Sequence, residues 1–264
     1  MLYETWGKIM DIFAIVGLFF GITFILLGQA MEGGNLQQLL QVTAAFIVFG
    51  GTGGAVIMSY PTAVLKKAVF LIKDVFMPPK ADLKSLVTEI GKYAQRARKE
   101  GLIVLEKSAR EASDPILKLG LEAVADGADP TLVQGMMESQ ISQQELEVMN
   151  AAKVFEAAGG YSPTLGIIGA VLGLIQVMQN LSDPASLGAG IAVAFVATIY
   201  GLFAANLVLI PIGTRIKLIY EKIFLSKEMM VEGVLAIQAG ESPALIERKL
   251  NAYILENNIG AEST

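Results

Sequence analysis

The sequence predicts an all-α membrane protein: four transmembrane helices, with a helical cytoplasmic domain inserted between the second and the third. Three observations carry this. Residues 12–31, 33–65, 157–182 and 184–214 contain no Asp, Glu, Lys or Arg. Each run is long enough to cross a hydrocarbon core of about 30 Å at about 1.5 Å per helical residue, where charge is costly. The chain is 53 % hydrophobic with a mean hydropathy of +0.56, and its apolar residues come in blocks, unlike those of a soluble domain. Finally, every Lys and Arg falls on one side of a four-span layout.

The first run, 12–31, is span one. Lys8 before it and the small-x-small triplet Gly28-Gln29-Ala30 imitate a signal peptide. The run exceeds the usual 7–15-residue core of such a leader and three more spans follow, so a retained helix is expected. The second run holds Gly50, Gly51, Gly53 and Gly54, with no basic residue between Lys8 and Lys66 to complete a phosphate cradle. Close helix packing by small residues is their expected use.

Of the 20 Lys and Arg, Lys8 precedes span one, thirteen lie from Lys66 to Lys153, and six from Arg215 to Lys249. The loops at Glu32-Gly33-Gly34 and Ser182-Asp183-Pro184 have none. The positive-inside rule then puts both termini and the 61–156 segment in the cytoplasm. The expected organisation is 1–60 as a first transmembrane pair, 61–158 as a cytoplasmic domain, 159–213 as a second pair and 214–264 as C-terminal cytoplasmic helices.

Within the polar segment, Asp82 to Lys99 reads as an amphipathic helix with Leu83, Leu86, Val87, Ile90, Tyr93 and Ala97 on one face. Gly101 interrupts it, and Leu102–Leu105 is an apolar patch. Asp114-Pro115 and Asp129-Pro130 each pair an N-cap with a first-turn proline. The second starts a helix through Val133, Met136, Met137, Ile141, Leu146, Met149 and Val154. Gly159-Gly160 predicts a break or a bend before span three. Arg215 to Ala239 continues span four as a helix, and Ser242-Pro243 caps a short last one ending near Glu256.

Composition excludes much chemistry. There is no Cys and no His, so disulfides, thiolate sites and imidazole acid–base work are absent. No GxxxxGK[ST] loop or GxSxG elbow occurs. What remains is in the spans. Gly166, Gly169, Ala170 and Gly173 in span three, and Ala194, Ala197, Thr198, Gly201 and Ala205 in span four, form small-residue faces. They suit a packed bundle first, and a smooth surface for another helix second. Pro163 opens span three and Pro211 closes span four at the same membrane face, either as helix punctuation, which suits Ser162-Pro163 as a cap followed by a first-turn proline, or as a paired functional layer. Ala170 lies about 10 Å from Pro163, and Thr198 about 20 Å from Pro211, along their helices. The Thr198 hydroxyl is available either to an ion path or to its own helix carbonyl. Arg98, Lys99 and Glu106 flank Gly101 as a charge cluster of the kind usually found on solvated surface.

The stretches 97–106 (Ala97 to Glu106), 161–175 (Tyr161 to Ile175) and 196–201 (Val196 to Gly201), with 206–211 (Asn206 to Pro211), resemble the flagellar motor stator A subunits of the MotA/PomA type, and the resemblance covers essentially the whole chain. It implies five copies of this subunit around two copies of a B subunit that has one membrane helix and a peptidoglycan-binding domain. Ion flow would turn the ring, and the cytoplasmic domain would drive the rotor protein FliG. Carried over by position, Arg98, Glu106 and more weakly Lys99 are rotor contacts, Pro163 and Pro211 are conformational prolines, and Thr198 lines the ion path. Ala170 stands where sodium-driven relatives carry Thr, which implies protons, since one hydroxyl leaves few oxygen ligands for a hard cation. No bound cofactor and no nucleic-acid partner is implied, and no enzyme activity. The spans offer no carboxylate of their own; a coupled ion path needs one, and the resemblance supplies it as an Asp on the B subunit's helix. Two other readings stay open: an ExbB/TolQ-type energiser, whose family has three spans, and a membrane scaffold without an ion path. The expected location is the inner membrane, both termini cytoplasmic.

Overall fold

A computed structural model describes residues 12–79, 81–179 and 184–262. The described residues are almost all helical, and no strand occurs among them. In chain order the helices are α1 (Ile12–Met31), α2 (Val42–Ser59), α3 (Thr62–Phe76), α4 (Leu83–Glu100), α5 (Leu105–Glu111) and α6 (Pro115–Ala125). They continue as α7 (Pro130–Gln179), α8 (Pro184–Phe203), α9 (Ile210–Gln238) and α10 (Pro243–Glu262). Four stretches are long and apolar enough to cross a membrane: α1, α2, one within α7 and one within 190–238. Lys8 and the Ser182-Asp183 turn lie outside the described residues.

The chain divides into two compact units. The described residues of 8–79 and 147–219 form an apolar unit, and those of 80–146 and 220–264 a polar one. These are divisions by packing. The divisions at 60/61, 158/159 and 213/214 are divisions by charge, and the two sets do not coincide.

In the apolar unit, the second charge-free run is not one helix. A 3-10 turn (Leu36–Leu39) precedes α2, and Tyr60-Pro61 ends it. The Tyr200 hydroxyl donates to the Leu39 carbonyl at 2.5 Å and accepts from the Gln41 amide at 3.2 Å. It thereby satisfies backbone groups that the irregular stretch leaves without helical partners. Ala44, Val48, Val196 and Ala197 are buried together beside Tyr200.

Three expectations about helix ends are corrected. Gly159-Gly160 does not break the chain: α7 runs through both, and through Pro163, to Gln179. Gly159 is there for contact, since a methyl on it would lie 2.5 Å from Ile210 Cγ1. Ser162-Pro163 is consequently not a cap with a first-turn proline; Pro163 sits in the helix interior. Pro211 too lies within helical chain, and the helix read from Arg215 onward is present. The chain stays helical from 184 to 238, with a π-wound turn (Ala204–Leu209) just before Pro211. Where backbone polar groups have no water, staying helical beats breaking even at a proline, whose interior cost is about 3 kcal/mol. The last helix also runs further than expected, to Glu262 rather than near Glu256.

In the polar unit, the caps read from the sequence are in place. Asp114 accepts from the Ile116 amide at 2.7 Å, and Asp82, which begins the amphipathic helix, caps it as well by accepting from the Ser85 amide. Asp129 accepts from the Thr131 amide at 2.9 Å and from its hydroxyl. The core takes the predicted face of α4 (Leu86, Val87, Ile90, Tyr93, Ala97) with Leu117, Leu121, Met137, Met229, Val234, Ile246 and Leu250. Each large fully buried side chain contributes about 1.5–3 kcal/mol. Gly91 and Gly233 admit their neighbours: methyls there would lie 2.5 Å from Glu247 Oε1 and 2.8 Å from Ile90. Lys227, 4 % exposed, bonds the Gln144 side chain and lies over the Phe224 ring.

Candidate functional site

The helix pair α7/α8 is paved with small residues, and the spacing is tight enough that backbone meets backbone. A methyl on Gly166 would lie 2.8 Å from the Ala197 carbonyl oxygen; on Gly169, 2.7 Å from Ala197 Cβ; on Gly173, 2.8 Å from the Gly190 carbonyl oxygen. A methyl on Gly201 would lie 2.5 Å from the Ser162 carbonyl oxygen and 3.1 Å from Pro163 Cα. This is small-residue packing without a side-chain layer, the first of the two uses the sequence allowed. The span-two glycines differ: Gly51 packs on Leu165, whereas Gly50, Gly53 and Gly54 meet nothing within 4 Å.

The prolines mark where this pair departs from regular winding. Pro163 has no N–H, so the carbonyl four residues back, on Gly159, loses its helical donor. Gly159 is also the residue packed on Ile210, immediately before Pro211. The two proline turns therefore touch. On the Pro211 side, the Ile210 amide donates to the Ala205 carbonyl, five residues back, so the wider π turn absorbs the second proline. Asn206 donates to the Leu202 carbonyl at 2.9 Å within the same turn.

Thr198 is half-buried one turn from Gly201, the residue packed on Pro163, its Cα within 3.3 Å of where a Gly166 methyl would be. Its hydroxyl donates to the Ala194 carbonyl at 3.2 Å. That bond leaves the oxygen's acceptor capacity unspent. Ala170 is half-buried two turns beyond Pro163 on α7. The sequence reading missed two hydroxyls. Ser162 and Thr52 are buried, and among the described residues their oxygens find no hydrogen-bond partner. The signal at Ser162 was its place beside Pro163, which a capping role had seemed to explain.

Arg98 and Lys99 end α4, and Glu106 begins α5. Between them Gly101 turns the chain with φ +82°, a conformation that favours glycine, and a 3-10 turn (Leu102–Val104) follows. All three charges are exposed, with Glu106 3.1 Å from Arg110. Behind this corner stands a polar cluster. Arg96 donates to Glu111 at 2.7 Å, which holds the Glu111 carboxyl below the usual carboxylate range. The Glu89 carboxylate accepts from Tyr93 Oη (2.8 Å), the Ser113 amide (3.0 Å) and Ser113 Oγ (2.6 Å). Burial, then that hydrogen bond, pushes the Tyr93 phenol well above its ordinary value.

Comparison with known proteins bears on both regions. The profile of the MotA/TolQ/ExbB proton channel family matches residues 108–229, and that of the motility protein A N-terminal region matches 15–101. The chain is 36 % identical to the uncharacterised protein YtxD of Bacillus subtilis over 93 % of its length and 91 % of that protein. It is 32 % identical to motility protein A of Bacillus subtilis, again over 93 % of this chain and 91 % of that one. Among solved structures, the flagellar MotAB stator complex from Bacillus subtilis matches with a TM-score of 0.82 and 31 % identity, over 91 % of this chain and 95 % of that one.

Proposed function

This chain belongs to the MotA/TolQ/ExbB proton channel family, and from that premise we propose that it is the A subunit of a flagellar stator. With a B subunit of one membrane helix it converts ion flow into rotation and delivers torque to the rotor. It is a multi-pass inner-membrane protein, with both termini and the polar segment 61–158 in the cytoplasm. The one observation that carries this reading is the packing of α7 on α8: glycine-paved, charge-free over 157–179 and 184–203, with the turn before Pro163 against Ile210 at the start of α9, on a fold shared nearly end to end with a MotAB stator complex.

The chemistry follows from what the wall lacks. With no carboxylate in its spans, this subunit cannot carry a proton by itself, so the titrating group, an Asp, rides on the partner's helix. Thr198 and Ala170 line the path of that ion. Ala170 contributes no oxygen, which suits protons over sodium. Pro163 and Pro211 form the layer whose backbone can rearrange, because its hydrogen bonds are already incomplete. Five copies close the ring around two B subunits. Arg98 and Glu106, with Lys99 beside them, meet complementary charges on the rotor protein FliG. The ExbB/TolQ-type energiser reading is disfavoured by four spans rather than three, and a non-conducting scaffold by the unneeded proline layer. The family is one of stator and channel subunits, not of enzymes.

Co-expression with a B subunit in a cell lacking its own stators tests this. Swimming should be restored, should persist when sodium is removed, and should stop on adding a protonophore. Swimming that tracks sodium would overturn the proton assignment alone. Normal swimming with Arg98 and Glu106 both charge-reversed would overturn the rotor contact.

A further inference from the structure

We propose that Glu89, Arg96 and Glu111 are positioning residues that hold the exposed corner bearing Arg98, Lys99 and Glu106 at a fixed geometry, so that force on those charges reaches the helices behind them. This rests on the rotor-contact reading and deepens it.

The corner alone is a poor lever. It turns on Gly101, the most permissive residue type, and continues as a three-residue 3-10 turn, Leu102–Val104. Its charges are on long side chains at 61–75 % exposure where they pair, as Glu106 and Arg110 do, and such pairs fix little. A load applied at Arg98 or Glu106 would open the angle between α4 and α5 unless something ties the two arms. The polar cluster ties them twice. Arg96, one helical step from Arg98, reaches across to Glu111 at 2.7 Å and to Ser108 Oγ at 3.4 Å, both on α5. Two turns earlier, Glu89 takes three donors: the Tyr93 hydroxyl from its own helix, and the amide and hydroxyl of Ser113 from the segment leaving α5. Tyr93 is 4 % exposed, so that end of the tie is fixed in the core. Ser108 is fully buried and also donates to the Val104 carbonyl at 3.4 Å, which ties the 3-10 turn itself. The cross-link thus spans from the core through α4 to both ends of α5, with the rotor charges at the free apex. Charge-assisted and bidentate contacts of this kind supply geometry as well as energy.

The test uses the assembled A–B complex and three readouts: torque per stator, proton flux in vesicles, and hydrogen exchange of the 102–113 amides. Arg96→Glu should speed exchange there roughly two- to fivefold, the range an exposed ion pair supports. It should lower torque per stator while membrane level and flux stay normal. The swap Arg96→Glu with Glu111→Arg should restore both exchange and torque, which a purely structural lesion at either site would not do. Where Arg96→Glu lowers membrane level, Glu89→Gln serves in its place, with the same expected split. Normal torque despite faster exchange, or unchanged exchange, overturns the positioning role. Arg98→Glu with Glu106→Lys is run alongside. If that variant keeps torque, the rotor-contact reading is overturned and the positioning role falls with it. If it loses torque while the Arg96 and Glu89 variants keep theirs, the positioning role alone falls.

Discussion

The α7/α8 pair and the polar corner solve opposite problems with opposite materials. Where α7 packs on α8, helices meet through glycine and alanine, backbone against backbone, and residues 157–179 and 184–203 carry no Asp, Glu, Lys or Arg. In the corner, two helical arms are held apart by Gly101 and tied by carboxylates and a guanidinium. Away from water, association rests on van der Waals contact and on keeping backbone groups paired, so small side chains matter most. In water, geometry is fixed by caps and charge-assisted bonds, each modest alone. A machine that moves ions in one region and delivers force from another needs both: a close-packed helix pair in the apolar unit, and a braced corner in the polar one.

The comparison predicts where the molecule is brittle. The largest effect belongs to Gly201→Val. Its new carbons would run into the Ser162 carbonyl and Pro163 Cα, backbone atoms that cannot rotate away. The cost should exceed the roughly 1–3 kcal/mol of an ordinary overpacked site, and membrane-inserted protein on an immunoblot should fall sharply. A variant present at wild-type level would show the pair to be looser than described.

Pro163→Ala separates packing from motion. The new amide can donate to the Gly159 carbonyl and regularise α7. Assembly should survive and swimming should fail; loss of the protein from the membrane would instead mark Pro163 as structural.

Asp114→Ala should be milder. It removes the cap of α6 and costs about 1 kcal/mol, seen as faster hydrogen exchange at Ile116 with flux unaffected.

Acid and alkali act on the polar unit more gently still. Glu111, lowered by Arg96, and Asp129, lowered by Thr131, favour the fold when ionised. That contribution is complete above the usual carboxylate pKa of about 4 and is lost as pH falls through their depressed values. Tyr93 is raised, and Tyr253 is pushed up to about 12 by burial and the Glu228 carboxylate. Their contribution is complete below the ordinary phenol value of about 10 and is lost as pH rises through the raised values. Exchange at 102–113 should therefore quicken at both extremes before exchange in α7 and α8 does.

Much of this was legible in the residues. Charge-free runs gave the spans, and Asp82, Asp114 and Asp129 marked helix starts that the structure keeps, because caps are local chemistry. Gly159-Gly160 and Ser162-Pro163 suggest helix boundaries that the structure does not have, for one reason. Glycine and proline break helices where water can take the freed backbone groups; in apolar surroundings the chain bends its winding instead, as the π turn at 204–209 shows. The contact of Gly159 with Ile210, and the tie from Glu89 to Ser113, join positions 51 and 24 residues apart. Single-sequence periodicity has no access to such pairs.

The central claim is that this subunit is a wall without a proton carrier of its own. Proton flux into vesicles tests it directly. The account predicts none from this chain alone and clear flux once the single-span B subunit is present. Flux from this chain alone, equal to that of the complex, would contradict it.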